Sequence, residues 1–325
     1  MRSINKSRKI IICVLAAALL SACGEKEVEL PYGSLASNAA FSMDAALSRG
    51  KMDLFAEKLC AAVSDVTEKS SISTGSVRAA CVYDIDGLSV LYSYNAESEL
   101  APASLTKIMT ALLVLENCPD LDEKVTVGDV TIREQGAQLF HLKEGDHITI
   151  RDLLYATMIY SANDAALALA IHVGGSEQDF CRMMNERAKL LGATHTNFVN
   201  SNGLSSDEHY TCAYDLYLMF QAAVQYEEFR QIIQTPSVSI TYTTAEGAVN
   251  TREISTTNQY LKGTPQPAAP SIVGGKTGST SAAGKCIILY AVSPQGHPYI
   301  VVVMGAEDTD SLYRITTQLC NDTVR

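Results

Sequence analysis

The sequence predicts an α+β fold in which one antiparallel sheet is built from both ends of the chain and helices pack against it. Two β-rich runs precede a long stretch with helical patterns, and further β-rich runs and a last helix follow that stretch. Beyond residue 50 the chain is long enough for one large core or two fused lobes. Residues 51–325 are therefore predicted to form the folded domain, with a helical subdomain within about residues 105–235.

The first predicted strands lie at residues 77–83 and 88–94, where β-branched and aromatic residues are frequent. Between them stands Asp84-Ile85-Asp86-Gly87, which is a hairpin signal. Residues 104–117 are apolar almost all round, which predicts a buried helix. A helical pattern also covers residues 51–69.

The rest of the chain carries helical patterns first and strand patterns later, with glycines at the ends of two helices. Further helices are predicted at residues 150–159, 164–173, 177–191, 213–224 and 311–320, and further strands at residues 237–243, 272–277, 286–292 and 299–304.

Residues 1–22 have the pattern of an export signal peptide. A basic head precedes the apolar run at residues 10–20, which is too short to span a bilayer, since a spanning helix needs about 20 residues. The run ends in Leu20-Ser21-Ala22-Cys23, which resembles a bacterial lipobox and predicts cleavage before Cys23 and lipidation of its thiol. The alternative is an ordinary cleavage site that happens to carry a cysteine.

This N-terminus predicts where the protein resides. Residues 23–50 would form a lipidated tether, and the protein would be exported and attached by its lipid to the outer face of the bacterial cytoplasmic membrane, or to a periplasm-facing membrane. The formal net charge is −11, and no basic patch is visible, so no nucleic-acid partner is expected.

The cysteines and histidines argue against a metal centre. There is no C-x-x-C pair and no Cys/His cluster with zinc spacing, and the six histidines form no H-E-x-x-H motif. We therefore expect no metal site, and a metallopeptidase is disfavoured. The seven cysteines after Cys23 are mostly in apolar runs and are predicted to be small buried hydrophobes.

The first chemistry-bearing motif is Ser104-Leu105-Thr106-Lys107. Residues three apart lie on one face of a helix, so the Lys107 amine can stand beside the Ser104 hydroxyl. A neutral lysine there would take the hydroxyl proton and activate the nucleophile. A helix cap with a surface lysine is the alternative, but the helix that follows is almost entirely apolar, and a buried lysine is rare without a partner.

Two further motifs follow in the chain. Ser161-Ala162-Asn163 comes after an apolar run, and on its own would read as a helix cap. Gly275-Lys276-Thr277-Gly278-Ser279 lies on a predicted strand, and on its own would read as a strand end. Each alternative is reasonable alone, but the three motifs in this order are hard to obtain by accident.

Together the motifs resemble the signature of penicillin-binding proteins and class A β-lactamases. The segments around Ser104, Ser161 and Lys276 are most similar to those of the low-molecular-mass D-Ala-D-Ala carboxypeptidases. The resemblance covers roughly residues 75–320. It implies the β-lactamase/DD-peptidase-like fold, with an antiparallel sheet flanked by helices plus an all-helical subdomain.

The resemblance implies a serine-type carboxypeptidase that removes the terminal D-Ala from peptidoglycan stem pentapeptides and binds β-lactam antibiotics covalently, without a cofactor. Ser104 would be the nucleophile that forms an acyl-enzyme, and Lys107 the general base. Ser161 would relay a proton to the leaving D-Ala. Asn163 would hydrogen-bond Lys107 or the substrate amide.

The third motif is implied to bind the substrate. Lys276 and Thr277 would face the terminal carboxylate, and Gly278 would let the substrate approach the strand edge. The backbone N–H groups of Ser104 and Ser279 would form the oxyanion hole. Asn258 lies in a region that the family uses near its cleft.

Three other functions compete with this one. A class A β-lactamase needs a glutamate within Glu-x-x-Leu-Asn after the second motif, and no such string follows Asn163. A non-catalytic wall-binding lipoprotein would have lost a catalytic residue, and none is lost; the middle motif differs from many relatives only in having Ala162 in place of glycine. An endopeptidase acting on cross-linked peptides would use the same site, so the sequence leaves it open.

Overall fold

The structure is a computed structural model that describes residues 59–61 and 64–324. The predicted signal peptide (residues 1–22), the predicted tether (residues 23–50) and Cys23 lie outside the described residues. The helix predicted over residues 51–69 is absent from its described part, where Val66 instead pairs with Ser93 through a β-bridge.

Five strands form an antiparallel sheet that joins the two ends of the described chain. Their order is β2-β1-β9-β8-β7, so the N-terminal hairpin pairs with the C-terminal strands through β1 and β9. This confirms the predicted α+β architecture. The bounds are β1 Ala79–Asp84, β2 Ser89–Tyr94, β7 Ser271–Thr280, β8 Gly284–Val292 and β9 Pro298–Ala306.

Both faces of this sheet are buried. Side chains alternate along a strand, so Ile288 and Val302 contribute to one hydrophobic cluster while Ile287 and Val303 contribute to the other. The C-terminal helix covers the second face through residues such as Leu319. Strand β7 is at the edge of the sheet, so its outer backbone groups are available for pairing.

Seven α-helices occur in the described part of the chain. Side chains of Thr149, Ser176 and Asp308 accept hydrogen bonds from backbone N–H groups and cap three of them, which explains where those helices begin. The bounds are α1 Lys107–Asn117, α2 Ile150–Met158, α3 Asn163–Gly174, α4 Glu177–Leu190, α5 Ala213–Ala223, α6 Glu227–Gln234 and α7 Thr309–Thr323.

A second antiparallel sheet corrects the prediction of an all-helical middle. Its order is β3-β4-β5-β6, with bounds β3 Lys124–Thr126, β4 His147–Thr149, β5 Ser237–Thr243 and β6 Val249–Ser255. The first two strands lie inside the supposedly helical segment and have three residues each, too few for an alternating pattern to be visible. The strand predicted at residues 237–243 therefore belongs to this sheet.

The seven cysteines among the described residues are all buried, as the sequence predicted, and all are free. Burial raises the pKa of the Cys81 and Cys286 thiols to about 11. These residues therefore act as small apolar side chains of the core. None of the helices in the described part is long and apolar enough to cross a membrane.

Candidate active site

Ser104 lies in a tight turn at the start of helix α1. The turn is a short 3-10 helix, Ala103–Thr106, that runs directly into α1. Ala103 has φ +48°, a left-handed conformation that costs a non-glycine residue on the order of 1–3 kcal/mol. Thr106 Oγ1 donates a hydrogen bond to the Ala103 carbonyl at 2.9 Å, which holds the strained turn from inside.

The backbone at Gly203 packs closely against this turn. A Cβ atom at Gly203, which has φ +89°, would lie only 1.9 Å from the Ala103 carbonyl oxygen. Glycine is therefore required here both for its conformation and for the close approach of two backbone segments. The approach brings the neighbouring Asn202 carbonyl to the Lys107 amine, with which it forms a hydrogen bond.

Lys107 is fully buried, and its amine has three polar neighbours. Nζ donates to Asn163 Oδ1 at 2.7 Å and to the Asn202 carbonyl, and it lies 3.1 Å from Ser104 Oγ. Both oxygens can only accept hydrogen bonds, so Ser104 is the one neighbour of the three that can give a proton to a neutral amine. Desolvation by burial, assisted by the charge of Lys276, holds the pKa of Lys107 well below its usual value.

A second buried lysine stands beside the second serine. Lys276 is 1% exposed, and its Nζ donates to Ser161 Oγ and to the Thr277 carbonyl, each at 2.9 Å. Burial lowers the pKa of Lys276 to about 7. Ser161 has φ +66°, so the second serine, like the residue before the first, is held in a strained conformation.

The side chains of the third motif point alternately to the two faces of strand β7. Alternation places Lys276 and Gly278 toward the two serines, and Thr277 and Ser279 toward the opposite side. A Cβ atom at Gly278 would lie 3.2 Å from the Ser104 nitrogen, so this glycine lets β7 pack against the Ala103–Thr106 turn, called the nucleophile turn below because it carries the predicted nucleophile Ser104. The same contact places the Ser104 N–H next to the edge strand that carries Ser279.

The expectation that Lys276 faces the terminal carboxylate of a substrate stays a prediction, and this geometry limits it to attraction at a distance. Its side chain is enclosed, and its hydrogen bonds go to Ser161 and to its own strand. Thr277 points to the other side, where its Oγ1 lies 2.6 Å from Thr257 Oγ1. The room expected for substrate above Gly278 is partly filled by the Ser104 turn.

The motifs meet in an open cavity of about 810 Å³. Ser104, Ser161 and Asn163 lie at its base, and Thr277, Gly278 and Ser279 form one side. The other walls come from residues 134–138, residues 203–205 and the start of helix α7. The structure thus brings the predicted catalytic and binding residues together, with Lys107 and Lys276 buried behind the cavity surface.

Asp164 was missed by the sequence analysis, although it directly follows the second motif. Its buried carboxylate accepts hydrogen bonds from the backbone N–H groups of Phe140 at 2.8 Å and Leu142 at 3.0 Å. The N–H of Asn163 in turn donates to the Gln138 carbonyl at 2.8 Å. The second motif therefore also fixes the loop that forms one wall of the cavity.

Arg252, on β6 of the second sheet, was also missed, and it braces the same loop. Its guanidinium lies 5.0 Å from the ring centre of Phe140 and 5.1 Å from that of Tyr160. It donates to the Phe140 carbonyl at 2.6 Å and to the Tyr160 hydroxyl at 3.1 Å. The second sheet therefore holds both the cavity wall and the residue before Ser161.

His209 supports the nucleophile turn from below. The Val199 N–H donates to Nδ1 at 3.1 Å, so in the neutral ring the proton is on Nε2, which lies 2.8 Å from Thr106 Oγ1. Burial, with a smaller effect from Lys107, lowers the pKa of His209 to about 4. The ring is therefore neutral near pH 7 and fixes the Thr106 hydroxyl that holds Ala103.

Asn258 and a cluster of three possible metal ligands have structural roles outside the proposed chemistry. The Asn258 side chain accepts from the Tyr260 N–H at 3.1 Å and caps a short helix, while the neighbouring Thr257 lines the cavity. Among the described residues, His195, Cys212 and Asp215 place metal-ligand atoms within 4.8 Å of one another. These three residues are not part of the cavity lining. The Asp215 carboxylate also already has a partner, because Oδ2 accepts a hydrogen bond from the His195 N–H at 2.8 Å.

Comparison with known proteins agrees with this geometry. Residues 65–308 match the D-alanyl-D-alanine carboxypeptidase family. The D-alanyl-D-alanine carboxypeptidase DacF of Bacillus subtilis is 34% identical over 234 residues, which are 70% of this chain and 57% of that protein. The chain thus spans rather more than half the length of the first curated relatives that it matches.

Solved structures extend the agreement to the fold. The crystal structure of the Streptomyces K15 DD-transpeptidase has a TM-score of 0.70 at 27% identity and covers 76% of this chain and 97% of its own. Penicillin-binding protein D2 from Listeria monocytogenes, in its cefotaxime-bound form, has a TM-score of 0.65 at 32% identity and covers 77% and 98%. The family resemblance and the DD-peptidase-like fold are thereby confirmed, and this chain belongs to the D-alanyl-D-alanine carboxypeptidase family.

Proposed function

We propose that the protein is a serine-type D-Ala-D-Ala carboxypeptidase that removes the terminal D-Ala from peptidoglycan stem pentapeptides. One observation carries the proposal most directly. The buried Lys107 amine, held by two oxygens that can only accept, lies 3.1 Å from Ser104 Oγ at the base of the cavity. This is the arrangement that a serine nucleophile and its base require.

Acylation follows from these contacts. The Lys107 amine, neutral because burial disfavours its charge, takes the Ser104 hydroxyl proton while Oγ attacks the carbonyl carbon of the penultimate D-Ala. The N–H groups of Ser104 and Ser279 then donate to the oxygen on which negative charge develops. One such donor contributes about 3 kcal/mol to the stability of the transition state.

The leaving group needs a proton when the peptide bond breaks. The proton that Lys107 took from Ser104 Oγ passes through the Ser161 hydroxyl to the departing D-Ala nitrogen, which leaves Lys107 neutral again, and Lys276 holds Ser161 Oγ in place at 2.9 Å. Water then attacks the acyl-enzyme, with Lys107 again acting as the base. Each step uses side chains of the described site.

Penicillin tests the nucleophile and the reaction class together. Intact-mass analysis after incubation with penicillin is expected to show one covalent adduct on the wild type and none on Ser104→Ala. The wild type is also expected to release D-Ala from a peptide ending in Lys-D-Ala-D-Ala. An adduct that persists on Ser104→Ala would place the nucleophile elsewhere. Because no Glu-x-x-Leu-Asn string follows Asn163, the adduct is expected to hydrolyse slowly.

We further propose that the protein is exported and attached through lipid on Cys23 to the outer face of the cytoplasmic membrane. The proposal is supported by the basic head, the short apolar run and the Leu20-Ser21-Ala22-Cys23 string. A Cys23→Ala variant is expected to lack the lipid and to accumulate as precursor or in the soluble fraction. Lipidation of that variant, detected by mass spectrometry, would refute the assignment.

A further inference from the structure

The proposed reaction needs a group that recognises the free carboxylate at the end of the substrate. The two lysines of the motifs are not available for this, because Lys107 is 0% exposed and Lys276 is 1% exposed. The Lys276 amine is directed to Ser161 and to the Thr277 carbonyl, on the catalytic side of strand β7. The carboxylate must therefore find a cation elsewhere in the cavity.

Lys285 is placed on the other side of the same strand edge. It stands opposite Ser279 in the β7–β8 ladder, so the two side chains share one face, which is also the face of Thr277. Its Nζ donates to Ser279 Oγ at 2.8 Å, and the residue lines the cavity. The Lys285 ammonium and the hydroxyls of Ser279 and Thr277 thus lie on the side of β7 opposite to Lys276.

The charged residues that line the cavity also support Lys285 as the group that binds the carboxylate. Among the described residues that line it, only Glu134 and Lys285 carry charged side chains. None of the ion pairs between described residues involves Lys285, so its charge is free for a ligand. Glu134 would repel a carboxylate from its own part of the lining, and this difference orients a substrate with its anionic end at Lys285.

The spacing along the strand also fits. Strand β7 touches the nucleophile turn at Gly278, and the Ser279–Lys285 pair is one residue further along, a rise of about 3.3 Å. In the substrate the terminal D-Ala extends one residue beyond the scissile carbonyl, about 3.8 Å between neighbouring Cα atoms. A carboxylate one residue past the reacting carbon can therefore reach the Lys285 ammonium.

We propose that Lys285, with the hydroxyls of Ser279 and Thr277, binds the C-terminal carboxylate and makes the site selective for peptides with a free C-terminus. The inference rests on the proposed function and refines it, because an internal D-Ala bond in a cross-linked peptide has no carboxylate at that position. Hydrogen bonds to charged groups are strong enough that losing this one is expected to reduce catalytic efficiency about 10- to 100-fold.

The test compares two peptides that differ only at the terminal group. The values of kcat/KM are measured for peptides ending in D-Ala-D-Ala acid and D-Ala-D-Ala amide, with the wild type, Lys285→Met and the matched control Lys189→Met. Lys189 is an exposed residue of helix α4 that does not line the cavity. We expect Lys285→Met to lose about 10- to 100-fold on the acid and to change little on the amide, while the control keeps the wild-type preference.

Penicillin and its methyl ester are a second pair of compounds that differ in the carboxylate. Their reaction is measured as the rate of adduct formation, so the comparison does not require turnover. The rate of adduct formation on Lys285→Met should fall for the acid and stay near the wild-type rate for the ester. Equal losses on both members of a pair, or an unchanged preference for the acid, would overturn the assignment of Lys285. Failure of the wild type to cleave either peptide or to be acylated would instead overturn the proposed function, so the two failures are distinguishable.

Discussion

The site contains two buried lysine–serine pairs, Lys107 with Ser104 and Lys276 with Ser161, and they differ in what surrounds each amine. The Lys107 amine donates to two oxygens without protons, which leaves its lone pair to the Ser104 hydroxyl. The Lys276 amine instead ties Ser161 to the backbone of strand β7. Both amines are buried lysines, so in the proposed reaction the hydrogen-bond partners would decide which lysine acts as the base.

The two amines also influence one another unequally. Burial lowers the pKa of both, and the charge of Lys276 lowers the pKa of Lys107 further. A second cation near a buried amine disfavours a second charge. Lys276 therefore serves Lys107 through its charge and serves Ser161 through its hydrogen bond.

The largest expected effect comes from removing the ability of Lys107 to lose its proton. Lys107→Arg keeps a positive charge, but an arginine side chain is not deprotonated in proteins. We expect the rate of penicillin adduct formation to fall by about 10²- to 10⁴-fold, the range of a lost general base. The measurement is the time course of adduct formation by intact mass.

Lys276→Arg is the matched control for this comparison, because it changes the other buried amine in the same way. It should retain more activity than Lys107→Arg, since Lys276 is required as a charge and a donor. If Lys107→Arg is acylated at nearly the wild-type rate, the distinction between the two pairs is wrong.

A smaller effect is expected in the pH dependence of acylation. The rate should fall at low pH as Lys107 becomes protonated, because only the neutral amine accepts the Ser104 proton. Lys276→Met removes the charge that helps to lower the pKa of Lys107, so that pKa rises and the acid limb of the profile moves to higher pH.

The pH at which the rate falls measures how strongly the charge of Lys276 affects the protonation of Lys107. This pH can be compared between variants even when their maximal rates differ. Lys276→Arg keeps the charge and should leave the limb near its wild-type position. A limb that stays in place in Lys276→Met, or moves to lower pH, would show that Lys276 does not influence the protonation of Lys107.

Local patterns were sufficient for the main sheet and for six of the seven helices in the described part of the chain, since helix α6 was not predicted. The hairpin, the buried helix after Ser104 and the last three strands have runs long enough for their periodicity to be read, and the structure has each of them. Within the second sheet only β5 was predicted, because β3 and β4 have three residues each and β6 buries only Ile254, which leaves no alternating signal in these three strands. This sheet forms because β4 pairs with β5, which lies far from it in the chain.

The sequence alone determined which residues meet at the cavity and are proposed to carry the chemistry, because the three motifs hold their serines, lysines and asparagine at short, recognisable spacings. It could not determine which way each side chain faces across segments more than 100 residues apart. Tertiary structure decided that Lys276 turns inward to Ser161, 115 positions away in the chain, and that Lys285 lines the cavity. A single lysine at the start of a strand has no local signal, and only the pairing of β7 with β8 places it beside Ser279.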